Sequence, residues 1–370
     1  MRNGFHASVF LALCIAAPQA HAFAFQGLGN LNGFGNVAYG LSTDGSTVVG
    51  ITGSATGGEA FRWTDSTGIQ SLGITDGTVD TAFGVSGTGS SIVGSGSAGG
   101  FLWTAAAGAQ FLDLYEARDI SADGKIVVGT ANNLPGSQPA FWSLATGVVI
   151  LPGVDGAPHL GSTLGVSLDG RVIVGSVVTR VDGPTNITEA AAWIDGAAPI
   201  ILGAGPSSNA HAASADGSVI VGQYFINGQY RAFRWTQAGG FQPLPEMPGG
   251  TTDMRALAVS GNGSIIVGES QDPVTGSNVA FVWDSKNGTR PLADVLAGVG
   301  QLKDWQLTEA WGLSSDGRFV TGHGINPSGL AESWIARIIP GQVPEPGTLA
   351  LLGLGLFGLL LTRRLGTDTP

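Results

Sequence analysis

The strongest constraint on the fold is a unit that recurs seven times along the 370 residues. Its first half reads as a strand of the form small-x-small-apolar-Ser, a turn, and a second strand that ends in Val-Gly or a close variant. The units are residues 38–50, 82–94, 117–129, 163–175, 210–222, 256–268 and 310–322. The final glycines are about 45 residues apart on average, a spacing typical of one propeller blade per repeat.

The turn inside each unit is marked by a short polar dipeptide. Five units carry Asp-Gly, the sixth has Asn262-Gly263 and the second has Thr88-Gly89. Such dipeptides between apolar residues predict a β-hairpin with a type I′ turn, which needs positive φ at both central residues. Calcium binding is the alternative for these aspartates, but each unit offers a single carboxylate where calcium loops cluster several oxygen ligands.

The second half of each unit predicts a third strand that carries a tryptophan and a fourth that leads to Leu-Gly or Leu-Pro. The tryptophans at this place are Trp63, Trp103, Trp142, Trp193, Trp235, Trp283 and Trp334. A phenylalanine two residues before the tryptophan points the same way in a pleated strand, so the pair is expected to fill the space between blades. Ala191 and Glu332 replace this phenylalanine in units four and seven.

The two ends of the repeat region distinguish a closed propeller from an open β-solenoid. Residues 25–29 (Phe-Gln-Gly-Leu-Gly) resemble the fourth strand of unit one, residues 69–73 (Ile-Gln-Ser-Leu-Gly), whereas unit seven stops after its third strand. An extra strand at the front and a missing one at the back suit ring closure, which also limits exposed sheet edges. The sequence therefore predicts an all-β, seven-bladed β-propeller over residues 23–340, closed by an N-terminal strand that completes the last blade.

The C-terminal tail combines a Pro-Glu-Pro motif, an apolar run over residues 349–361 and a basic end. The motif residues are Val343, Pro344, Glu345, Pro346, Arg363 and Arg364. This tail resembles the PEP-CTERM sorting signal of exported bacterial proteins, here over residues 343–364. The resemblance implies cleavage by an exosortase at the inner membrane of a Gram-negative bacterium.

The apolar run is short for a permanent membrane anchor. Thirteen helical residues span roughly 20 Å, less than the ~30 Å hydrocarbon core, so we expect a short transmembrane helix that is used transiently. An ordinary single-span C-terminal anchor is the alternative. Arginines that flank a membrane span stay in the cytoplasm, so the propeller is placed on the far side of the inner membrane.

The N-terminus indicates export as well. An early Arg2, an apolar stretch over residues 7–17 and the small-x-small sequence Ala20-His21-Ala22 predict a signal peptide over residues 1–22. The one cysteine, Cys14, lies inside it, so the mature chain has no internal disulfide. We expect a transiently anchored protein that ends at the cell surface or outside the cell.

The repeats, with their Ala-Phe third strand (Ala60-Phe61, Ala232-Phe233), also resemble the HAF family of bacterial extracellular repeats. The resemblance runs over residues 25–339, nearly the whole mature chain. It implies architecture and compartment, but no shared catalytic motif or ligand.

Charge and motifs exclude several functions. The formal net charge of −11 and the lack of a basic stripe argue against nucleic acid as a partner. The histidines outside the signal peptide, His159, His211 and His323, show no metal-ligand spacing, and no Gly-x-Ser-x-Gly motif occurs. We therefore predict no catalytic residues, no metal and no cofactor.

One position varies where its neighbours are uniform. The x of small-x-small-apolar-Ser is, in order, Tyr39, Phe83, Arg118, Leu164, His211, Leu257 and Trp311. If this strand is innermost in each blade, these side chains form a ring near one end of the central channel. The aromatic and polar members, Tyr39, Phe83, Arg118, His211 and Trp311, are the candidate ligand-binding ring. The alternative is that x packs between blades beside the apolar residue two places on.

These observations favour a non-enzymatic binding or structural component of the exopolysaccharide or biofilm matrix. A carbohydrate-active hydrolase or lyase is the competing hypothesis, and it predicts two carboxylates with raised pKa values at one channel mouth. Trp305, in the longest insertion, is expected to cover the closing blade more readily than to bind sugar.

Overall fold

The computed structural model describes residues 24–31, 33–55, 57–74, 79–131, 136–297 and 300–338. Within these residues the chain forms seven four-stranded antiparallel sheets that surround one axis as the blades of a β-propeller. The predicted all-β, seven-bladed fold is confirmed. The predicted signal peptide, the sorting tail and its hydrophobic helix lie outside the described residues. No helix in the described ranges is long and apolar enough to cross a membrane.

The strands follow one another in blade order. The first strand is β1 (Phe25–Gly27), and blade 1 consists of β2 (Asn36–Leu41), β3 (Thr47–Ser54), β4 (Gly57–Thr64) and β5 (Gly68–Ser71). Blade 2 consists of β6 (Thr81–Val85), β7 (Ser91–Gly96), β8 (Gly99–Thr104) and β9 (Gly108–Phe111). Blade 3 consists of β10 (Leu114–Ile120), β11 (Val127–Ala131), β12 (Gln138–Ser143) and β13 (Gly147–Ile150). Blade 4 consists of β14 (Gly161–Val166), β15 (Val172–Asp182), β16 (Thr185–Ile194) and β17 (Ile200–Ile201).

The remaining blades repeat this order. Blade 5 consists of β18 (Asn209–Ala213), β19 (Val219–Ile226), β20 (Gln229–Thr236) and β21 (Gly240–Pro243). Blade 6 consists of β22 (Met254–Val259), β23 (Ile265–Gln271), β24 (Asn278–Asp284) and β25 (Gly288–Pro291). A single helical turn α1 (Leu292–Val295) and a 3₁₀ turn (Gly300–Leu302) follow. Blade 7 consists of β26 (Gln306–Leu313), β27 (Phe319–Ile325), β28 (Ala331–Arg337) and β1.

The ring closes as the sequence predicted. Strand β1 is the outer strand of blade 7 and pairs antiparallel with β28, with Phe25 opposite Ala336 and Gly27 opposite Trp334. The inner strand β2 contacts both β6 and β26, so the first and last blades are neighbours. The ring of Trp305 packs edge-on against Phe25 at 5.2 Å between ring centres. Trp305 therefore covers the closing blade.

Hydrophobic contacts between neighbouring blades form the core. The described residues contain seven buried clusters, one for each blade-to-blade interface. Between blades 7 and 1, Phe61 and Trp63 pack with Ile335 of the neighbouring blade. The same-facing Phe and Trp side chains thus fill the space between blades, because alternate residues of a strand share one face.

The tryptophan pattern holds in six units and shifts in the seventh. Trp63 pairs with Val48, two residues before the final glycine of the unit, whereas Trp334 pairs directly with Gly322. Trp334 therefore occupies the place of Phe61, which lies opposite Gly50. The assignment of Trp334 to the tryptophan position was wrong by two residues, because strand pairing rather than residue type sets the register.

Each inner strand contains a β-bulge at the variable position of the repeat. In blade 1, Ala38 pairs with Gly50 and Gly40 pairs with Val49, which leaves Tyr39 as the extra residue. The same shift occurs at x in the other six inner strands. A bulge re-aims the extra side chain. It directs x toward the propeller axis instead of into the space between blades.

The glycine that ends each unit's first half lies where a side chain has no room. A Cβ added to Gly222 would collide with the carbonyl oxygen of Asn209 and would lie 2.9 Å from a ring carbon of Phe233. The carbonyl two residues before x blocks the corresponding position in all seven units, Gly50, Gly94, Gly129, Gly175, Gly222, Gly268 and Gly322. These glycines permit close approach of the two strands rather than an unusual φ.

The aspartates of the Asp-Gly turns are used by the turns themselves. Ser42 Oγ donates to Asp44 Oδ1 at 2.6 Å and accepts the backbone N–H of Thr47 at 2.9 Å. Asp44 Oδ1 also accepts the N–H of Ser46 at 2.9 Å. Equivalent Ser-Asp or Ser-Asn contacts occur at residues 121–123, 167–169, 214–216, 260–262 and 314–316.

The predicted type I′ geometry of these turns is wrong. Gly45 has a φ of +76°, but Asp44 is not among the described residues with positive φ. The N–H of Gly45 donates to the carbonyl of Ser42 at 2.9 Å, as in a type I turn that is followed by a left-handed glycine. The serine hydroxyl and the aspartate carboxylate cap the backbone of a four-residue loop, and this capping replaces the tighter two-residue turn.

Replacing a final glycine should destabilise the propeller. We expect Gly222→Ala to lower the free energy of unfolding by roughly 1–3 kcal/mol or more, because overpacking forces β18 away from β19. Gly239→Ala is the matched control, since its added Cβ would meet only the flexible side chains of Gln242 and Thr236. Urea unfolding followed by tryptophan fluorescence measures both. Equal midpoints for the two variants would contradict the close-approach explanation.

Candidate functional site

The seven variable side chains line one cavity on the propeller axis. The cavity has a volume of about 480 Å³, and every inner strand contributes to its wall. The structure brings together Tyr39, Phe83, Arg118, Leu164, His211, Leu257 and Trp311. The bulges cause this convergence, because they turn x toward the axis in each blade. The role of these side chains in ligand binding stays a prediction.

One side of this ring is aromatic. Tyr39 packs edge-on against Trp311 at 5.3 Å between ring centres and lies 5.4 Å from Phe83. The guanidinium of Arg118 lies over the Phe83 ring at 4.5 Å from its centre. Arg118 also forms a salt bridge with Glu116, with 2.8 Å between Nη2 and Oε2. Blades 7, 1, 2 and 3 thus present a continuous arc of π faces and one paired cation.

The other side of the ring is less polar and holds one histidine. Leu164 and Leu257 flank His211 in ring order. The His211 Nε2 atom is buried and has no hydrogen-bond partner among the described residues. Burial lowers the pKa of His211 to about 4, so the imidazole is neutral at physiological pH. A ligand in the cavity would therefore meet a neutral imidazole ring at this point of the wall.

Below the ring, the channel narrows into an aliphatic layer. Leu41, Val85, Val166, Val259 and Leu313 line both the ring cavity and a second, smaller cavity of about 90 Å³. The smaller cavity continues toward the Asp-Gly turns, where Thr43 and Ser315 join its wall. The channel is therefore polar and aromatic at the mouth that is far from these turns, and apolar in its middle.

A network of charged side chains at blades 6 and 7 supports the mouth. Asn278 Nδ2 donates to Glu269 Oε2 at 2.9 Å and to Glu309 Oε1 at 3.2 Å, so the two carboxylates are neighbours. Arg255 donates to Glu269 at 2.5 Å, and Trp311 Nε1 donates to Glu309 at 2.7 Å. The network therefore orients one aromatic member of the ring.

The close carboxylates change the titration of the network. Burial, and next the charge of Glu309, raise the pKa of Glu269 above its ordinary value. His323 Nε2 lies 3.6 Å from Glu309, yet burial lowers the pKa of His323. Two neighbouring carboxylates beside the ring, one with a raised pKa, are an arrangement that the repeat pattern did not predict, and neither of them lines the cavity itself.

Sequence reasoning also missed Asp119, which lines the same cavity. It follows x in blade 3, where the other six units have glycine or alanine: Gly40, Gly84, Gly165, Ala212, Ala258 and Gly312. The available signal was this break in the small-x-small pattern. The carboxylate is the one acidic group in that ring of small residues, so it distinguishes blade 3 from the rest.

The described chain leaves the propeller on the face of the Asp-Gly turns. The N–H of Ile338 donates to the carbonyl of Arg318 at 2.7 Å, next to the turn between β26 and β27. The ring at x lies toward the opposite end of the inner strands. The sorting-motif residues, Val343 to Pro346 with Arg363 and Arg364, lie outside the described residues.

Comparison with known proteins identifies the tail and supports the fold. Residues 342–364 match the family model described as the PEP-CTERM protein-sorting motif. This motif implies export, anchoring by the C-terminus and processing by an exosortase. No curated protein sequence matches the chain. The predicted HAF-type repeats are not tested by these matches.

Solved structures similar to the chain are β-propellers of low sequence identity. Oligogalacturonate lyase from Vibrio parahaemolyticus is 12% identical, with a TM-score of 0.56, over 85% of this chain and 94% of that one. The β-propeller domain of the Trilobed protease from Pyrococcus furiosus is 10% identical, with a TM-score of 0.54, over 84% and 96%. At such identities the likeness shows the fold alone.

The carboxylate pair makes a prediction for stability. Because the folded pKa of Glu269 is raised, its contribution to stability is complete below the ordinary glutamate pKa and is lost as pH rises through the folded value. Glu269→Gln cannot ionise, so its melting temperature should exceed that of the unaltered protein increasingly from pH 4.5 to pH 8.

A control of opposite sign is available in blade 3. Hydrogen bonds from Lys125 and Ser121 lower the pKa of Asp123 to about 2, so Asp123→Asn should be the less stable protein at neutral pH. Thermal melts of both variants across this pH range test the pair. A difference between Glu269→Gln and the unaltered protein that stays constant with pH would contradict the raised pKa of Glu269.

Proposed function

We propose that this protein is an exported, exosortase-processed β-propeller that binds exopolysaccharide, or another surface component of the biofilm matrix, without catalysis. The observation that carries the proposal is the convergence of seven variable side chains in one channel mouth. Residues that every repeat shares are explained by folding, whereas these differ in each blade. The resemblance to HAF repeats belongs to the same proposal, because it implies an extracellular location.

The chemistry of the mouth suits a saccharide. Trp311 and Tyr39 offer flat apolar faces, on which the C–H faces of a sugar ring can pack, and Phe83 lies beside them under Arg118. Arg118 and His211 add hydrogen-bonding groups. A cavity of about 480 Å³ falls in the range of small-molecule sites, which are mostly apolar with a few placed polar groups. Such a site accommodates one or two sugar units at the end or bend of a chain.

The exit of the chain supports an outward-facing mouth. Ile338 lies on the face of the Asp-Gly turns, and the matched sorting motif begins only four residues later. A propeller held through this tail would turn that face toward the membrane. The channel mouth would then point away from the membrane and toward matrix polymer before the tail is cut.

Binding is tested with a double variant of the ring. Arg118→Ala/Trp311→Ala should weaken binding to the preferred saccharide roughly tenfold or more, since removal of an aromatic platform and a cationic donor exceeds ~1.4 kcal/mol. The measurement is a glycan array followed by titration calorimetry on the mature chain.

The matched control places the same changes on the outer surface. Arg171→Ala/Phe111→Ala removes an exterior arginine that pairs with Asp195 and a phenylalanine with 40% exposure on an outer strand. This control should bind as the unaltered protein does, and circular dichroism should show both variants folded. Unchanged binding by the ring variant, with its fold intact, would refute the binding site.

A carbohydrate-cleaving enzyme is the second candidate. The adjacent carboxylates of Glu269 and Glu309, with a raised pKa for Glu269, support it because acid and base catalysis of glycoside cleavage uses such pairs. Glu269 is only 7% exposed, which favours a supporting role over contact with substrate. Release of new reducing ends by the unaltered protein, but not by Glu309→Gln, would instead favour the enzyme.

Tail processing has its own prediction. Mass spectrometry of the secreted protein should find a chain that lacks Arg363 and Arg364, because the motif directs cleavage before release. A variant with alanine at Pro344, Glu345 and Pro346 should keep its full C-terminus and remain in the membrane fraction. A secreted, unaltered protein that still ends at Pro370 would contradict exosortase processing.

A further inference from the structure

Asp119 is the polar residue that most clearly departs from the repeat at the channel. The fold does not require a carboxylate there, because glycine or alanine occupies this place in the other six blades. The bulge of β10 at Arg118 sets Asp119 beside the cavity. Asp119 lines both the mouth cavity and the smaller cavity below it, so it marks the boundary between the aromatic ring and the aliphatic layer.

The carboxylate of Asp119 is held firmly in this position. Its Oδ2 accepts the backbone N–H of Val166 in blade 4 at 3.0 Å, and its Oδ1 accepts the N–H of Ile120 at 2.8 Å. The side chain therefore bridges two neighbouring inner strands. Each oxygen keeps a further lone pair, because a carboxylate oxygen can accept more than one hydrogen bond.

The charge of Asp119 is not met by a cation within the part of the chain that the structure describes. Arg118 pairs with Glu116 at 2.8 Å, and Arg255 pairs with Glu269. Glu309 accepts hydrogen bonds from Trp311 and Asn278 and lies beside Glu269 and His323, so its charge belongs to the network next to the ring and not to the cavity wall. Among the residues that line the mouth, Asp119 is therefore the carboxylate that has no cationic partner, because Arg118 is already paired with Glu116.

The aromatic arc favours the same sign of ligand. The faces of Tyr39 and Trp311 carry the negative end of the ring quadrupole, which attracts ammonium groups, including methylated ones. Phe83 is already covered by Arg118. A carboxylate below a set of aromatic side chains is a combination that binds an amine better than an anion or a neutral amide.

We propose that the channel mouth selects saccharides with positively charged amino groups, such as de-N-acetylated hexosamine units, and that Asp119 is the residue that determines this selectivity. The inference rests on the proposed function, because it assigns the ligand class of the same site. The inference predicts that the channel does not bind uronic acids, because Asp119 would repel their carboxylates.

The protonation of Asp119 provides a readout that needs no substitution. Burial raises the pKa of Asp119 to about 6, although the hydrogen bonds from Val166 and Ile120 oppose this rise. The other titratable groups that line the cavity are Tyr39, Arg118 and His211, and His211 titrates near pH 4. Between pH 7.5 and pH 5, Asp119 is therefore the lining residue that changes charge.

The experiment is titration calorimetry of the mature chain with three oligosaccharide series. These are oligomers of glucosamine, of N-acetylglucosamine and of galacturonic acid, matched in length. At pH 6.5 the unaltered protein should bind the glucosamine series at least tenfold more tightly than the other two. An N-trimethylated glucosamine oligomer keeps its positive charge at every pH. It should bind more weakly at pH 5 than at pH 7.5, because Asp119 is protonated at the lower pH.

Two substitutions test the residue itself. Asp119→Asn removes the charge, and Asp119→Gly installs the residue of blades 1, 2, 4 and 7, so at least the second should fold. Both should abolish the preference for amines and its pH dependence. Asp195→Asn, which removes an exterior carboxylate paired with Arg171, should change neither.

The outcomes distinguish the two proposals. Tight binding of N-acetylated or uronic oligomers, with no preference for amines and no effect of Asp119→Asn, would overturn the role of Asp119 and leave glycan binding intact. Failure to bind any saccharide at the mouth would overturn both. An amine preference that persists in Asp119→Gly and at pH 5 would assign the selectivity to the aromatic arc and refute Asp119.

Discussion

The whole propeller depends on the close approach between the inner strand and the second strand of each blade. The carbonyl before the bulge lies against the final glycine, as Asn209 does against Gly222, and leaves no space for a Cβ. This contact repeats in all seven blades, so each blade presents the same geometry to the next one. The bulge beside it turns one side chain toward the axis. The bulged pairing of the inner strand with the second strand therefore determines both the packing of the blades and the lining of the channel.

Packing between blades then makes the ring a single cooperative body. Phe233 lies across Gly222 and reaches into the cluster of the preceding blade, and Phe61 does the same across Gly50. Closure needs no disulfide, because β1 supplies the missing outer strand of blade 7 and Trp305 covers it. Burial of large aromatic side chains at six of the seven described interfaces replaces the covalent links that many exported proteins use.

The repeat pattern predicted more of the fold than of the site. Strand number, blade order and closure followed from the spacing and from residues 25–29, whereas the turn type and the place of Trp334 were wrong. Both errors concern pairing across strands, which local residue types determine only weakly. The residues of the channel ring could be predicted, because the variable position x occurs at the same place in every repeat. Asp119 was marked only by a break in the small-x-small pattern, and Glu269 and Glu309 by no pattern, since their contacts join residues 31 to 47 positions apart in the chain.

The sequence by itself determined the seven-fold repetition, the closing strand and the sorting tail, because each is written in local order and spacing. Only the tertiary structure decided which way the variable residues point, since a bulge is a relation between two strands. It also decided that an uncompensated carboxylate lies below an aromatic arc, because charge balance in a channel depends on all seven blades. The sorting signal is therefore legible in the sequence, whereas the side chains that line the channel mouth come together only when the ring closes.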